Sequence, residues 1–392
     1  MRAVLSLNAG SSSLKFALTG VGSADDLATI AIGKIEGIGT APHLIVRDAA
    51  GGLLTERRWG ADAGMAHEAF FDPLFGWIDA HLDGDRLIGV GHRVVHGGTA
   101  FAEPVIVTPA VLDQLDALAA LAPLHQPHNI AAIRAAQTVR PDLPQIACFD
   151  TAFHHDLPPV ASRFAIPRAL HDEGVRRYGF HGLSYEYVAR RLREIDPYMA
   201  GGRVVAAHLG NGASLCAMQA GRSIDTTMSF TALDGLVMGT RCGAIDAGVI
   251  LYLLEQKQMS AADLTNLLYE RSGLLGVSGI SGDMRDLLDS DATAAHEAIA
   301  LFVYRIAGAT AALAGALGGL DGIIFTGGIG ENAPAVRAML CERLTWLGVE
   351  IDEPANTAGA PVISLPSSRV RVRVLPTDEE RMIAIHTLAL LS

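Results

Sequence analysis

Short apolar runs, broken by glycine- and serine-rich turns, set the rhythm of this chain. Ala3-Val4-Leu5-Ser6-Leu7 leads into Asn8-Ala9-Gly10-Ser11-Ser12-Ser13-Leu14-Lys15. Val204-Val205-Ala206-Ala207 leads into His208-Leu209-Gly210-Asn211-Gly212-Ala213-Ser214-Leu215. Each segment predicts a strand, a tight turn and a returning strand, with Ser13-Leu14 matched to Ser214-Leu215. Further strands are expected from Ile30 to Arg47, Leu53 to Trp59, from Leu87 toward Gly98, from Gln145 to Phe149, Gly322 to Phe325 and Arg369 to Leu375. Helices are expected from Met65 to Leu82 with an end near Asp83-Gly84, and from Pro109 to Leu121, His125 to Val139, Gly248 to Arg271, Ala294 to Leu317 and Glu379 to Leu391. Strands alternate with helices in both halves, so the class is α/β. The repeated hairpin predicts a two-lobed molecule with a central cleft. Its parts are residues 1–149 joined by the closing helix 376–392, and residues 150–375.

Composition narrows the function. The chain has 392 residues, enough for two domains that each bury a core. A net charge of −12 argues against a nucleic-acid partner, which calls for a basic excess. It does not exclude anionic substrates, because local arginines override the global field. The four cysteines are scattered, which fits reduced thiols in a cytoplasmic protein. The N-terminus opens on a strand and a polar turn, so no signal peptide is expected. The longest weakly polar stretch, Ile306 to Leu320, falls short of the roughly 20 residues a membrane span needs, so a buried helix and no membrane partner are expected.

The turns suggest anion chemistry. Small residues let backbone N–H groups face an anion, and Ser hydroxyls and Lys15 add donors. Asn8 to Lys15 is not a Walker A loop, and a polar hairpin tip is its plain alternative. Thr326-Gly327-Gly328-Ile329-Gly330-Glu331-Asn332 follows a strand and precedes a helix, a place suited to a nucleotide, though it is not a Rossmann fingerprint. Arg93, in Gly91-His92-Arg93-Val94-Val95-His96, and Arg241, in Met238-Gly239-Thr240-Arg241-Cys242-Gly243, sit between glycines in apolar surroundings. Each suits an anion clamp through two parallel hydrogen bonds, with a structural ion pair as the alternative. Asp150 ends a buried strand, where ligands bind in α/β proteins. His181 lies in Tyr178-Gly179-Phe180-His181-Gly182. The histidines do not read as a metal centre, since no HExxH is present.

Taken together and in order, these motifs resemble the acetate kinase family, which includes propionate and butyrate kinases and belongs with sugar kinases, Hsp70 and actin. The resemblance runs from Asn8 to the closing helix. It implies two duplicated actin-like, ribonuclease H-like domains flanking a nucleotide cleft, and ATP-dependent, reversible phosphorylation of acetate by direct in-line transfer. It implies magnesium (or manganese) held at Asn8 and Glu379. It implies nucleotide contacts at Lys15, His208, Leu209, Gly210, Asn211, Gly212, Asp283, Met284, Arg285, Gly328, Ile329, Gly330, Glu331 and Asn332. Arg93 matches the carboxylate-binding residue and Asp150 the acidic catalytic residue. His181 and Arg241 match transition-state stabilisers, with Asn211 close to the transferred group. Val95, Leu124 and Phe180 match the acyl pocket, and His125 a histidine near it. A homodimer is implied too. A carboxylate is already ionised at neutral pH, so Asp150 is expected to orient groups or hold a magnesium-bound water rather than take a proton.

The chain departs from the family at Ala232, where a proline lines the acyl pocket, and at Ala244 and Ala247, where Asp and Pro are usual. Loss of a ring from the pocket wall predicts comparatively good use of propionate, since each buried CH₂ is worth about 0.8 kcal/mol. A propionate or butyrate kinase is the alternative within the class. An actin- or Hsp70-like nucleotide switch is the alternative outside it; it leaves Arg93 and Arg241 unexplained.

Overall fold

The computed structural model describes residues 2–10, 12–22, 26–60, 67–82 and 86–392. Ser11, the start of the expected helix at Met65 and its end near Asp83-Gly84 lie outside the described residues. The chain divides into two compact units. The first is Met1–Ala152 with Asp378–Ser392, and the second is Phe153–Thr377, so Asp150 falls on the first unit's side.

The first unit is built on β1 (Arg2–Ala9), β2 (Ser13–Val21), β3 (Leu27–Glu36), β4 (His43–Asp48), β5 (Leu53–Arg58), β6 (Arg86–Val94), β7 (Val105–Ile106) and β8 (Gln145–Phe149). They form one sheet in the order β5-β4-β3-β2-β1-β6-β8-β7. The apolar runs are the central strands: Val4, Leu5 and Leu7 of β1 and Phe16 and Leu18 of β2 are all buried. Alternate residues face opposite ways. Leu5, Leu7 and Phe16 pack with Phe71, Phe75 and Ala136 on one face, from the helices Phe71–His81 and Gln126–Val139. Val4 and Val21 pack with Ala384 and Leu388 of the closing helix Glu379–Leu391 on the other. The helix expected from Pro109 to Leu121 is α-helical over Pro109–Ala117 and tightens to a 3-10 turn over Leu118–Leu121.

The second unit carries β9 (Arg203–Leu209), β10 (Ala213–Gln219), β11 (Arg222–Thr226), β12 (Gly322–Thr326) and β13 (Arg371–Val374), in the order β11-β10-β9-β12-β13. This repeats the central order β3-β2-β1-β6-β8 of the first unit. In both, the first three strands are antiparallel, and the last two run parallel to the first. One face carries the helix Gly182–Ile195, through Tyr185, Val188 and Leu192. The helix Thr293–Leu317 packs on β9, β10 and β11. By length and composition it could cross a membrane; half of its most apolar window is buried inside the protein. None of the four cysteines is in a disulfide.

The register aligns the two hairpins residue by residue and corrects one expectation. Asn8 faces Lys15 across β1/β2, and His208 faces Ser214 across β9/β10. The turns close with Gly10 N–H to Ser13 O at 2.8 Å and Gly210 N–H to Gly212 O at 3.1 Å. The first turn is therefore longer, and the counterpart of Ser214 is Lys15, not Ser13. Running the register across each sheet makes His92 the counterpart of Phe325, Arg93 of Thr326 and Asp150 of Thr377.

Candidate functional site

In the first unit, the ends of β1, β6 and β8 bring Asn8, Arg93 and Asp150 together. Arg93 donates from Nε to Asp150 Oδ1 at 2.9 Å and from Nη2 to Oδ2 at 2.5 Å. Its Nη1 donates to Asn8 Oδ1 at 3.2 Å. Glu379, in the first turn of the closing helix, stands 3.7 Å from Arg93 Nε. The ion pair weighed as an alternative for Arg93 is thus present. It uses the side edge of the guanidinium, and the Nη1 end faces Asn8. Burial opposes charge on Arg93, but Asp150 and Glu379 override it and raise its pKa further. Burial pushes the Glu379 carboxyl up to about 7; Arg93 opposes this, while Asp150 and Glu380 add to it.

Lys15 is exposed on β2, opposite Asn8. Val95 is buried, with its N–H donating to Asn129 Oδ1 at 3.0 Å. Asn129 Nδ2 donates in turn to Ala9 O at 2.8 Å, and Gln126 brackets the His96 main chain with both ends of its amide. These two buried carboxamides tie the Arg93 loop to the end of β1. The sequence reading passed over them, although amides in an apolar helix start are the signal that finds them. Leu124 and His125 are half-buried just before that helix, with His125 at its N-cap.

In the second unit, His181 is the N-cap of Gly182–Ile195, in the left-handed region at φ 58° and ψ 26°. That conformation is costly for a residue with a Cβ and is found where surroundings enforce it. Here they do. Nδ1 is bonded to Ser214 Oγ at 2.8 Å, and the ring stacks on His208 at 4.3 Å. Ser184 Oγ is bonded to His208 Nδ1 at 2.9 Å. Phe180 is buried, and its carbonyl is bonded to His154 Nε2 at 3.0 Å. A Cβ placed on Gly212 would lie 3.5 Å from His181 Nε2 and 3.8 Å from Arg241 Nη1, so the imidazole and the guanidinium converge on this turn. Arg241 Nη1 also donates to the Ala232 carbonyl at 3.0 Å. Asn211 is exposed and rests on Gly239: a Cβ there would come within 2.0 Å of Asn211 Oδ1. Leu209 and Met284 are core side chains, so they offer a ligand only main chain. Asp283 caps the short helix Met284–Leu288 and is clasped by the exposed Arg285, which holds the Asp283 carboxyl below its usual range.

The glycine-rich segment is helical at once, over Gly327–Asn332. Gly327 has φ +76°, and a Cβ there would meet Leu209 O at 2.8 Å, so only glycine fits. Gly328 and Asn332 are exposed, Ile329 half-buried and Gly330 buried. The Glu331 carboxylate turns inward, accepting from Gly327 N–H at 2.9 Å and Thr377 N–H at 3.3 Å. Behind it lies Arg337, which is 1% exposed. It donates to the carbonyls of Gly330, Glu331 and Asn356 and to Asn356 Oδ1, at 2.7–3.0 Å. Arg337 escaped the sequence reading because nothing in its neighbourhood marks an arginine whose acceptors are main-chain carbonyls and the Asn356 amide. Ala247 begins the exposed helix Ala247–Glu255, a first-turn position that proline also suits. Ala244 lines a groove of about 700 Å³ with Arg177, Tyr304 and Trp346.

No cluster of three His, Cys, Asp or Glu groups that could hold a metal is found among the described residues. Asn8 and Glu379 supply oxygen donors around Arg93, beside Asp150. Such a sparse oxygen set fits magnesium, which keeps waters and phosphate oxygens as its other ligands.

Comparison with known proteins agrees with this architecture. The family model described as the acetokinase family matches residues 3–385. An acetate kinase of Rhodopseudomonas palustris is 56% identical, covering 98% of this chain and 97% of its own. One of Rhizobium meliloti is 51% identical, covering 100% and 99%. Among solved structures, a propionate kinase from Francisella tularensis subsp. tularensis superposes with a TM-score of 0.92 at 37% identity, covering 99% of this chain and 100% of its own. The acetate kinase of Porphyromonas gingivalis gives 0.87 at 36% identity, with both chains fully covered. With its α/β sheets, its strand-end arginine and its whole length matched, the chain belongs to the acetokinase family of kinases.

Proposed function

We propose that this protein transfers the terminal phosphoryl group of ATP to acetate, reversibly, giving acetyl phosphate and ADP. The observation that carries the reading is the Arg93–Asp150 pair at the strand ends of the first unit, with Asn8 at the far end of the guanidinium. An acetate carboxylate is a nucleophile at neutral pH without a general base. It needs orientation and charge neutralisation, which fixed guanidinium groups supply. Arg93 binds the carboxylate, and Asp150 holds Arg93 by its side edge so that the Nη1 end is presented. The apolar side chains this reading gives to the acyl group are Val95, Leu124 and Phe180. In the second unit, His181 and Arg241 stabilise charge on the transferring group, and Asn211 lies close to it. The main chain of the His208–Gly212 and Gly328–Asn332 turns, with Lys15 and the Asp283–Arg285 segment, serves the nucleotide. Asn8 and Glu379 would hold magnesium, which would neutralise phosphate charge when bound.

The relatives include a propionate kinase as well as acetate kinases, and Ala232 stands against Arg241 through its carbonyl. Propionate is therefore a second acceptor in this reading. The helix Ala247–Glu255 leaves Val249, Leu251 and Tyr252 exposed, which supports a homodimer through this apolar face. Four cysteines without a disulfide suit a reducing cytoplasm. The test is a hydroxylamine trap with ATP, magnesium and acetate, propionate or butyrate in turn. Acetyl hydroxamate should form fastest, with propionyl next. Absence of hydroxamate with all three sinks the reading.

A further inference from the structure

Three groups in the second unit form a chain: the Tyr185 hydroxyl lies 2.6 Å from Ser214 Oγ, and Ser214 Oγ lies 2.8 Å from His181 Nδ1. Tyr185 is on the helix that His181 opens, and Ser214 is on β10. Tyr185 and Ser214 are both fully buried.

The direction of this chain follows from counting protons. A buried hydroxyl that donates to nothing is costly. Burial raises the Tyr185 pKa well above its ordinary value, so the hydroxyl keeps its proton. The His208 main chain bonds the same hydroxyl in the sense that lowers its pKa, as an N–H donor does, so the hydroxyl proton is left for Ser214 Oγ and Tyr185 donates there. The serine has one proton of its own, and His181 Nδ1 is the remaining partner of its hydroxyl. Ser214 therefore donates to Nδ1. A neutral imidazole that accepts at Nδ1 carries its proton on Nε2. Nε2 is the ring atom nearest Gly212, on the same spot approached by Arg241 Nη1.

We propose that Tyr185 and Ser214 are positioning residues that fix the His181 tautomer, so that neutral His181 presents an Nε2–H donor beside Arg241. This rests on the reading of His181 as a group that faces the transferred phosphoryl. The left-handed His181 backbone belongs to the same device: it turns Nδ1 inward to Ser214 and leaves Nε2 at the turn. Stacking on His208, itself bonded to Ser184, holds the plane of the ring.

The experiment is ¹⁵N NMR of the full chain with labelled histidine, which separates the tautomers by the shifts of the two ring nitrogens. His181→Gln identifies the His181 signals among the 14 histidines. In the unaltered protein, at a pH where His181 is neutral, it should be the Nε2–H form. Ser214→Ala should give a mixture of tautomers and lower kcat on the order of tenfold, the scale seen when groups that orient a histidine are removed, with KM for ATP and acetate unchanged. Tyr185→Phe should shift both readouts the same way by less, and it carries the test if Ser214→Ala folds poorly. An Nδ1–H form in the unaltered protein overturns the proposal. So does a folded Ser214→Ala, or failing that Tyr185→Phe, that keeps pure Nε2–H and full kcat. The NMR readout stands even if no acyl phosphate is formed, so failure of the kinase reading and failure of this one are separable.

Discussion

The two units lay down the same five-strand order and then place opposite chemistry at the same strand ends. Asn8, Arg93 and Asp150 in the first unit correspond to His208, Thr326 and Thr377 in the second. One end holds a guanidinium among carboxylates; the other holds a histidine, two threonines and glycine backbone. The contrast extends inside the sheet. His92 on β6 is buried and bonded to Gln145 at 2.7 Å, where β12 has Phe325. Duplication preserved the backbone hydrogen bonding that builds the sheet. The strand ends, which bear no such load, diverged: one toward charge, the other toward close main-chain approach.

The largest test of this contrast exchanges equivalents. Arg93→Ala should cut kcat by about 10²–10³, the scale of removing a charge-stabilising donor. It should also destabilise the first unit by about 3 kcal/mol, because Asp150 and Glu379 lose their counter-ion. Thr326→Ala, the same position in the second unit, should change kcat only a few-fold. Steady-state kinetics and urea melts read both; equal effects would break the comparison.

Next is the main-chain end. Gly327→Ala forces a Cβ against Leu209 O in a left-handed backbone, at a strain of about 1–3 kcal/mol. KM for ATP should rise about tenfold with KM for acetate unchanged. A rise confined to acetate would assign the two ends the wrong way round.

Acid should act on the units in sequence. Burial depresses the His92 pKa to about 4, against Gln145, which raises it. A histidine depressed on folding stabilises the native state above about 6.5, and that stability is lost as pH falls toward 4, up to about 3 kcal/mol in all. In the second unit, burial works against the Asp196 charge, but Arg371 and Arg373 hold its pKa below 3.8, so its contribution is lost only at lower pH. Glu379 acts with the opposite sign, since its raised pKa adds stability as pH falls below about 7. His96, depressed to about 4 by burial, acts with His92. The two histidines outweigh the one carboxyl, so hydrogen exchange between about pH 7 and 4 should show first-unit amides loosening earlier. His92→Phe, which copies the second unit, should flatten that slope, while the neutral-pH Tm drops because Gln145 Oε1 loses its partner. An unchanged slope would remove His92 as its cause.

The smallest effect concerns Ala232. Ala232→Pro keeps the carbonyl that receives Arg241 Nη1, so the protein should fold normally. The propionate-to-acetate ratio of kcat/KM should fall several-fold, in line with about 0.8 kcal/mol per buried CH₂. An unchanged ratio would take Ala232 out of the acyl selectivity.

Much of this was legible in the residues. The apolar runs fell on β1, β2, β9, β10 and β12, and the expected Ala294 to Leu317 helix is Thr293–Leu317. The misses have physical causes. Ser13 was matched to Ser214 because serines look alike, whereas the turns differ in length and the register pairs Lys15 with Ser214. The strand Arg222–Thr226 and the helix Gly182–Ile195 went unmarked beside the louder motif at Phe180-His181. Gln126 and Asn129 were missed because their partners lie 30 and 34 residues away, and Arg337 because main-chain acceptors leave no side-chain pattern to read.

Local pattern determined the strands, the tight turns and the kinds of chemistry present, because hydrophobic spacing and turn residues act over a few positions. The family followed from the same motifs. Only the tertiary structure decided that Asp150 takes the side edge of Arg93, that Glu331 turns inward, and that Tyr185 and Ser214 stand behind His181. Each of these is a hydrogen bond that a buried polar group must make, and which partner it finds is settled by how distant strands and helices meet.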